Sequence, residues 1–264
     1  MTIWIALLLG LAQGLTEFLP ISSSGHLVLL NNLFGIQEGT LFFTIMLHVG
    51  TLIAVVAVYY KDLWDMIRHP FQKKTGMLLL ALIPTVLAAL FLNDFIEEAF
   101  GGKYLGFEFL LTALILWFAQ RAKTGHKTIG KMSPGDALLI GVMQSVSILP
   151  AVSRSGSTIA GALYCRMDRK EAADFSFLLS VPAILGSLVF EVPTLLKSGV
   201  GDLNWGIVFA GVAMSAIAGY LAVRLMLRVI KNRQLTPFIY YVTVLGILVL
   251  FDQFVTNWFF IRPF

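Results

Sequence analysis

The sequence predicts an all-α membrane protein that crosses the bilayer several times. Hydrophobic residues make up 58% of the 264 residues and charged residues only 13%, whereas soluble domains carry about 45–50% and about 25%. Apolar runs of about 20 residues, the length of a transmembrane helix, recur along the chain. The single cysteine, Cys165, precludes an intramolecular disulfide. This composition excludes disordered, collagen-like, coiled-coil and disulfide-stapled chains, and it argues against a soluble enzyme.

Two kinds of apolar segment follow one another along the chain. Two stretches, 1–34 and 135–165, are interrupted near the middle by a Leu-Pro pair and a Ser/Gly cluster. Each half of them has about 12–18 residues, which is short for a full crossing at about 1.5 Å per residue. We therefore predict two re-entrant helical hairpins, whose broken backbone must be buried in protein or line a watery cavity. The six uninterrupted spans are 39–60, 76–96, 105–120, 175–196, 205–226 and 237–258.

The basic residues orient this arrangement. Of the 19 Lys and Arg residues, only three, Lys103, Lys197 and Arg262, lie on one side of the predicted membrane, and Arg154 lies in the second hairpin. By the positive-inside rule the opposite side is cytoplasmic, so both termini face outward. The N-terminal run has no basic region or cleavage site and is interpreted as mature structure. The cytoplasmic side then holds 15 of the 19 Lys and Arg residues, namely Lys61, Arg68, Lys73, Lys74, Arg121, Lys123, Lys127, Lys131, Arg166, Arg169, Lys170, Arg224, Arg228, Lys231 and Arg233.

The two halves of the chain, about 1–132 and 133–264, resemble each other. FTIMLHVGTLIA (43–54) aligns with FSFLLSVPAILG (175–186), and the two Leu-Pro breaks match within one residue. Each half holds one hairpin and three spans, and because three is odd the second half is inverted. We predict a single membrane domain built as an inverted-topology repeat, in which sites form at broken helices near the midplane. The matched polar and small residues are Gly10, Gln13 and Gly25 with Gly141, Gln144 and Gly156.

The break in the first hairpin gathers polar side chains. Gln13 and Glu17 are spaced i, i+4 and share one helix face. Pro20 ends or kinks that helix. A carboxylate, hydroxyls and an imidazole thus lie within about ten residues at membrane depth, where an ionised group costs about 2.5–3.5 kcal/mol. The residues that follow the proline are Ser22, Ser23, Ser24, Gly25 and His26.

The break in the second hairpin has the composition of an anion site. Hydroxyl groups, a glycine and a helix N-terminus favour a bound anion. Arg154 adds a fixed charge and a fork that suits phosphate oxygens. The polar residues around it are Ser153, Ser155, Gly156, Ser157 and Thr158.

Structural interpretations compete with these functional ones. Glu17 and Arg154 could form only an ion pair that ties the two repeats together, and His26 could cap or pack a helix. His48, in the middle of span 39–60, has no polar cluster around it in sequence, which favours ordinary packing. Ser22 and Ser24 could be helix caps. Thr16 and Gln144 fit ordinary interhelical hydrogen bonding as well as a site, while Glu108, Glu191 and Asp252 are expected at the interface.

A carboxylate beside an anion site narrows the chemistry. Glu17 would repel a phosphate unless a divalent cation bridges the two or the carboxylate handles a proton. The sequence has no P-loop, GxGxxG, GxSxG or recognised metal motif. We therefore expect metal-assisted phosphoryl chemistry rather than simple anion passage.

Two motifs closely resemble the bacterial undecaprenyl-diphosphate phosphatases, also called bacitracin-resistance proteins. They are QGLTEFLPISSSGHL (13–27) and the run from LPAVSRSGSTIAGAL (149–163) to EAADFSFLLSVPAILGS (171–187). The resemblance covers almost the whole chain. It implies hydrolysis of undecaprenyl diphosphate to undecaprenyl phosphate and inorganic phosphate, which recycles the lipid carrier for wall synthesis, and it implies dependence on Mg²⁺ or Ca²⁺.

The resemblance also implies roles for individual residues. Glu17 holds the cation with help from Gln13, which stands where some family members have a second carboxylate. His26 is the nucleophile or the general acid/base, and Ser23 is the rival nucleophile. The clamp for the diphosphate consists of Arg154 with Ser153, Ser155, Gly156 and Thr158, and Ser24 and Gly25 complete the predicted binding set. Ala151 replaces the glycine that usually precedes the Ser-Arg-Ser-Gly motif.

A transporter or flippase of a phosphorylated lipid or anion is the alternative function. The predicted inverted repeat favours it, because alternating access uses that symmetry. A transporter does not need Glu17 and His26 set against the same anion, so we favour the phosphatase. The expected partners are a polyprenyl diphosphate and the bilayer of the bacterial cytoplasmic membrane, without nucleic acid, and a homodimer is left open. The outer face is favoured for the opening of the site.

Overall fold

The computed structural model describes residues 1–36, 40–123, 125–198, 204–232 and 234–260, and these residues form helices and no strand. Arg233 and Arg262 of the predicted charge distribution lie outside the described residues, as does the side chain of Lys197. The helices are α1 (Ile3–Phe18), α2 (Ser23–Phe34), α3 (Thr40–Arg68), α4 (Lys73–Phe91), α5 (Asn93–Phe100), α6 (Leu105–Arg121), α7 (Pro134–Val146), α8 (Arg154–Tyr164), α9 (Arg169–Ser198), α10 (Trp205–Lys231) and α11 (Thr236–Phe251).

Five helices in the described part of the chain are long and apolar enough to cross a membrane. They are α3, α4, α9, α10 and α11, the last extended by a π-helical turn over Asp252–Thr256. These five helices coincide with five of the predicted spans. The sixth predicted span is α6, whose 17 residues reach about 25 Å at 1.5 Å per residue. The protein is thus an all-α, multi-span membrane protein, as predicted.

The chain breaks at both predicted positions. Between α1 and α2 the backbone turns at residues 19–22, and between α7 and α8 it turns at residues 147–153. Each second helix starts with a serine cap. Ser22 Oγ accepts from the Gly25 amide at 3.4 Å, and Ser153 Oγ accepts from the Gly156 amide at 3.1 Å. These caps satisfy amides that would otherwise be unpaired in a hydrocarbon environment.

Two close helix crossings fix the hairpins to the long helices. α1 packs against α10 where a Cβ at Gly10 would lie 2.4 Å from the Gly211 carbonyl oxygen. α7 packs against α4 where a Cβ at Gly141 would lie 2.3 Å from the Ala81 carbonyl oxygen. Small residues permit such backbone approach in membranes. The crossings occupy equivalent positions in the two predicted repeats, and the inverted repeat itself stays a prediction.

The first crossing predicts opposite effects for two glycine-to-alanine substitutions. Gly10→Ala should destabilise the protein by about 1–3 kcal/mol, because a methyl group must push α1 away from α10. Gly76→Ala should be neutral or stabilise by up to about 1 kcal/mol, because helix propensity rises and no described atom lies within 4 Å of the added methyl. Thermal unfolding in detergent measures both, and equal midpoints for the two variants would contradict the crossing.

Candidate active site

The two helix breaks meet and hold each other by hydrogen bonds. Ser22 Oγ in the first break donates to the Pro150 carbonyl in the second at 2.5 Å. Ser155 Oγ in the second donates to the Leu19 carbonyl in the first at 3.1 Å. Gly25 packs so closely on Ala151 that a Cβ there would lie 2.9 Å from it. Residues about 130 positions apart in the chain thus form one joint, which consists of residues 19–25 and 150–155.

An ion pair between a buried carboxylate and a half-buried guanidinium lies at this joint. Glu17, in the last turn of α1, accepts hydrogen bonds from Arg154 Nη2 and Ser23 Oγ. Gln13 Nε2, one turn earlier on α1, donates to the same carboxylate at 3.1 Å. The predicted grouping of Gln13, Glu17, Ser23 and Arg154 is therefore present in the structure.

His48 is the imidazole that faces this carboxylate. Its Nε2 lies 3.9 Å from Glu17 Oε2. Its Nδ1 donates to the Thr44 carbonyl at 2.9 Å, which directs Nε2 toward the joint. The sequence favoured ordinary packing for His48 because its polar neighbours come from other parts of the chain. The only local signal was a histidine in the middle of an apolar span.

His26 lies behind the joint instead. Its Nδ1 is 2.6 Å from the Ser22 carbonyl and its Nε2 is 2.8 Å from Tyr241 Oη. Its ring also stacks on the Tyr241 ring, with centroids 5.7 Å apart. Both ring nitrogens are engaged, and one of them holds the carbonyl of Ser22, whose φ of 68° is in the left-handed region. This position supports the packing and capping interpretation of His26 and does not support its predicted catalytic role.

A cavity of about 160 Å³ opens beside Glu17 and Arg154. The N-terminal ends of both second helices line it, with the cap Ser22 and residues Ser23 and Ser24 at α2, and the cap Ser153 and Arg154 at α8. Helix N-termini carry a partial positive charge and free amides, so two of them at one cavity favour an anion. The other polar residues of the wall are His48, Thr85, Gln144, Ser147 and Ser187.

Three predicted binding residues support the loop rather than line the cavity. Ser155 is occupied by its bond to Leu19, and the Gly156 amide by its bond to Ser153. Thr158 Oγ1 bonds to Ser176 Oγ of α9 at 2.6 Å. These contacts anchor α8, and through it Arg154.

Three buried atoms at the joint and in the cavity wall have no hydrogen-bond partner among the described residues. They are Arg154 Nη1, Gln144 Oε1 and Gln13 Oε1. Arg154 and Gln144 line the cavity, whereas Gln13 lies behind Glu17 and outside the wall. Buried polar groups are nearly always paired, so unpaired atoms of the wall indicate a ligand. The donor suits a phosphate oxygen, and the amide oxygen next to the Glu17 carboxylate suits a hard cation. In the described part of the chain no three His, Cys, Asp or Glu residues are grouped as a metal site.

Helix α6 holds the loop of residues 147–153, which leads into Arg154 at the start of α8. The Ala151 amide donates to Glu108 Oε2 at 2.8 Å. Thr112 Oγ1, one turn further along α6, donates to the Ala151 carbonyl at 2.8 Å and accepts from the Ser153 amide at 3.0 Å. Glu108 is only 3% exposed and so is buried within the protein, and its position at the membrane interface stays a prediction. Sequence reasoning missed this support because the loop packs onto α6 from a distant part of the chain.

The chain matches the family described as bacitracin resistance protein BacA over residues 6–248. The chain belongs to the BacA family. Among its relatives are "Undecaprenyl-diphosphatase" of Carboxydothermus hydrogenoformans, 43% identical over 94% of this chain and 96% of the relative, and "Undecaprenyl-diphosphatase 4" of Bacillus thuringiensis, 43% identical over 95% and 98%. The "Undecaprenyl-diphosphatase" of Alkaliphilus metalliredigens is 38% identical over 95% and 98%. This BacA-family chain thus covers nearly the full length of these relatives.

The support from α6 predicts a loss of stability in Thr112→Val. The valine leaves the Ala151 carbonyl and the Ser153 amide without their partner, which costs about 1–3 kcal/mol for a buried polar group. Thr112→Ser is the matched control, because it keeps the hydroxyl and both bonds. Thermal unfolding in detergent should place the serine variant well above the valine variant, and the reverse order would exclude the support.

Proposed function

We propose that this chain is an integral membrane phosphatase that hydrolyses undecaprenyl diphosphate to undecaprenyl phosphate and inorganic phosphate. The observation that carries the proposal is the joint of two helix N-termini around Arg154, with a buried carboxylate and a hydroxyl beside it. The full-length BacA relatives bear the name of this activity. The reaction returns the lipid carrier to cell-wall synthesis and thereby gives bacitracin resistance.

The cavity has the size of a head group. Its volume of about 160 Å³ is close to the roughly 150 Å³ of a cavity that encloses one benzene molecule. A diphosphate fits this scale and a long prenyl chain does not. The polyprenyl tail therefore stays among the lipids and only the diphosphate enters the joint.

Arg154 is the main clamp for the terminal phosphate. Its Nη2 is held by Glu17, and its unpaired Nη1 donates to a phosphate oxygen. The first-turn amides of α2 and α8 that the serine caps leave free, together with the hydroxyl of Ser24, add further donors. Such preorganised donors stabilise the charge of a phosphoryl transition state and supply most of the rate.

Ser23 is the nucleophile that the geometry favours over His26. Its hydroxyl donates to Glu17, which is the arrangement of a nucleophile and its base. Glu17 takes the proton, Ser23 Oγ bonds to the terminal phosphorus, and the bond to the undecaprenyl phosphate oxygen breaks. Water then releases inorganic phosphate from the serine. His48, beside Glu17, exchanges protons with the leaving group and the water.

The cofactor we propose is Mg²⁺ or Ca²⁺. Glu17 and the unpaired Gln13 Oε1 would hold it, and substrate phosphate oxygens would complete a set of oxygen ligands, which both ions prefer. When bound, the cation neutralises negative charge on the diphosphate.

The site opens toward the face opposite the basic loops. His48 lies in the first third of α3, Thr85 in the second half of α4, and Ser187 beyond the middle of α9. All three positions are in the parts of these helices that are remote from the predicted cytoplasmic side. We propose that the protein lies in the bacterial cytoplasmic membrane, with both termini and the site facing outward.

Phosphate release in detergent separates the phosphatase from the transporter. Detergent abolishes vectorial transport, so release of phosphate from farnesyl diphosphate that stops on addition of chelator requires an enzyme. Arg154→Ala should lower kcat at least about 10²-fold, as removal of one transition-state donor does elsewhere. Lys61→Ala, on the opposite face, should retain normal turnover. Near-normal release by Arg154→Ala, or no release by the unmodified protein, would refute the proposal.

The two histidines should respond differently to substitution. His48→Gln should lower kcat about 10²-fold or more, the usual contribution of a general acid or base, with an unchanged unfolding midpoint. His26→Gln should lower the unfolding midpoint, because it disturbs the bonds to Ser22 and Tyr241. The opposite result would show that His26 is catalytic and His48 is not. In that case His26→Gln is stable but has no turnover, and His48→Gln is fully active.

A further inference from the structure

A second cavity lies at the other end of the molecule from the predicted active-site opening. It has a volume of about 220 Å³ and is lined by the C-terminal ends of α6 and α8 and the residues that follow them. Three cationic residues line it, Arg121 and Lys123 after α6 and Arg166 after α8. All three belong to the predicted cytoplasmic set of basic residues.

No acidic residue lines this cavity. Within the described part of the chain none of its three cationic residues takes part in an ion pair with a carboxylate. The neighbouring acidic groups are engaged elsewhere. Asp136 pairs with Lys127 at 2.8 Å, and Asp168 accepts from the Lys170 amide at 2.9 Å. The three residues are exposed, so water and salt screen part of their mutual repulsion, and an anion bound between them would neutralise the rest.

The end of α8 places Arg166 at the cavity. Its φ of 60° lies in the left-handed region, as expected for the residue that follows a helix in a Schellman cap. The bonds of that cap are present, because the Arg166 amide donates to the Leu163 carbonyl at 3.0 Å and the Met167 amide donates to the Ala162 carbonyl at 3.1 Å. The Arg166 side chain lines the cavity.

Aromatic residues lie in and beside the wall of the cavity, near helix ends on the predicted cytoplasmic side. Phe118 and Tyr164 line it and are 45% and 48% exposed. The Arg121 guanidinium lies 3.4 Å from the ring centroid of Trp117, one turn further into the membrane. Aromatic rings at head-group level with cations just outside them are typical of the membrane–water boundary. Basic pockets between helices on the cytoplasmic side bind anionic lipid head groups.

We propose that this cavity is a binding site for the phosphate head group of an anionic phospholipid of the cytoplasmic leaflet. Arg121, Lys123 and Arg166 contact the phosphate, and Trp117, Phe118 and Tyr164 contact the upper acyl chains. The site is separate from the active site, because its occupant is a bilayer lipid and its wall shares no residue with the catalytic cavity.

The test is lipid binding by the full chain purified in mild detergent. Native mass spectrometry gives the Kd for phosphatidylglycerol, for phosphatidylcholine and, separately, for inorganic phosphate. One variant combines Arg121→Gln, Lys123→Gln and Arg166→Asn, since asparagine tolerates the left-handed backbone. The matched control removes three basic residues of the same predicted face that lie outside the cavity, by Lys61→Gln, Arg68→Gln and Arg228→Gln.

Phosphatidylglycerol should bind the unmodified protein at least about tenfold more tightly than phosphatidylcholine does. The cavity variant should lose about tenfold or more in affinity for phosphatidylglycerol, and the control variant less than about twofold. If the triple variant does not fold, the Arg121→Gln/Lys123→Gln variant replaces it. This double variant should lose about fivefold or more in affinity for phosphatidylglycerol. Equal affinities for the two lipids, unchanged binding by the cavity variants, or displacement of the lipid by millimolar inorganic phosphate would overturn the proposal.

Discussion

An ion pair between the buried Glu17 carboxylate and the half-buried Arg154 guanidinium joins two helix breaks that lie about 130 residues apart in the chain. Each charge alone would cost about 2.5–3.5 kcal/mol at membrane depth, so each requires the other and further hydrogen bonds. The surrounding contacts supply these bonds. Ser23 and Gln13 donate to the carboxylate, and crossed serine bonds to backbone carbonyls lock the two breaks together.

The rest of the fold holds this joint in place from outside. Backbone groups inside a membrane must find partners within the protein. α6 satisfies the loop before Arg154 through Glu108 and Thr112, and α11 satisfies the loop before α2 through Tyr241 and His26. α6 and α11 also pack against each other. The two breaks are therefore held by one pair of helices, which keeps the donors of the anion site rigid.

The sequence was informative where a polar residue interrupts an apolar run. Glu17, Ser23 and Arg154 stood out for that reason, and the broken helices followed from Pro20 and the serine caps. The role of His26 could not be read in this way, because its orientation depends on Tyr241, 215 residues away. The contacts of His48 and Glu108 could not be read from local sequence either, since their partners come from other parts of the chain. Local patterns thus predicted the elements and the charged pair, while the side-chain directions depended on tertiary packing.

The double variant Glu17→Gln/Arg154→Gln distinguishes a catalytic ion pair from a purely structural one, because it removes both charges and leaves no unpaired ion. A pair that only ties the two halves together would be replaced by a neutral pair, and turnover would recover with stability. Each single variant, Glu17→Gln or Arg154→Gln, leaves one charge unpaired. Relative to these, we expect the unfolding midpoint of the double variant to return toward that of the unmodified protein, while release of phosphate from a polyprenyl diphosphate stays abolished. Recovery of turnover together with stability in the double variant would contradict a catalytic role of the pair.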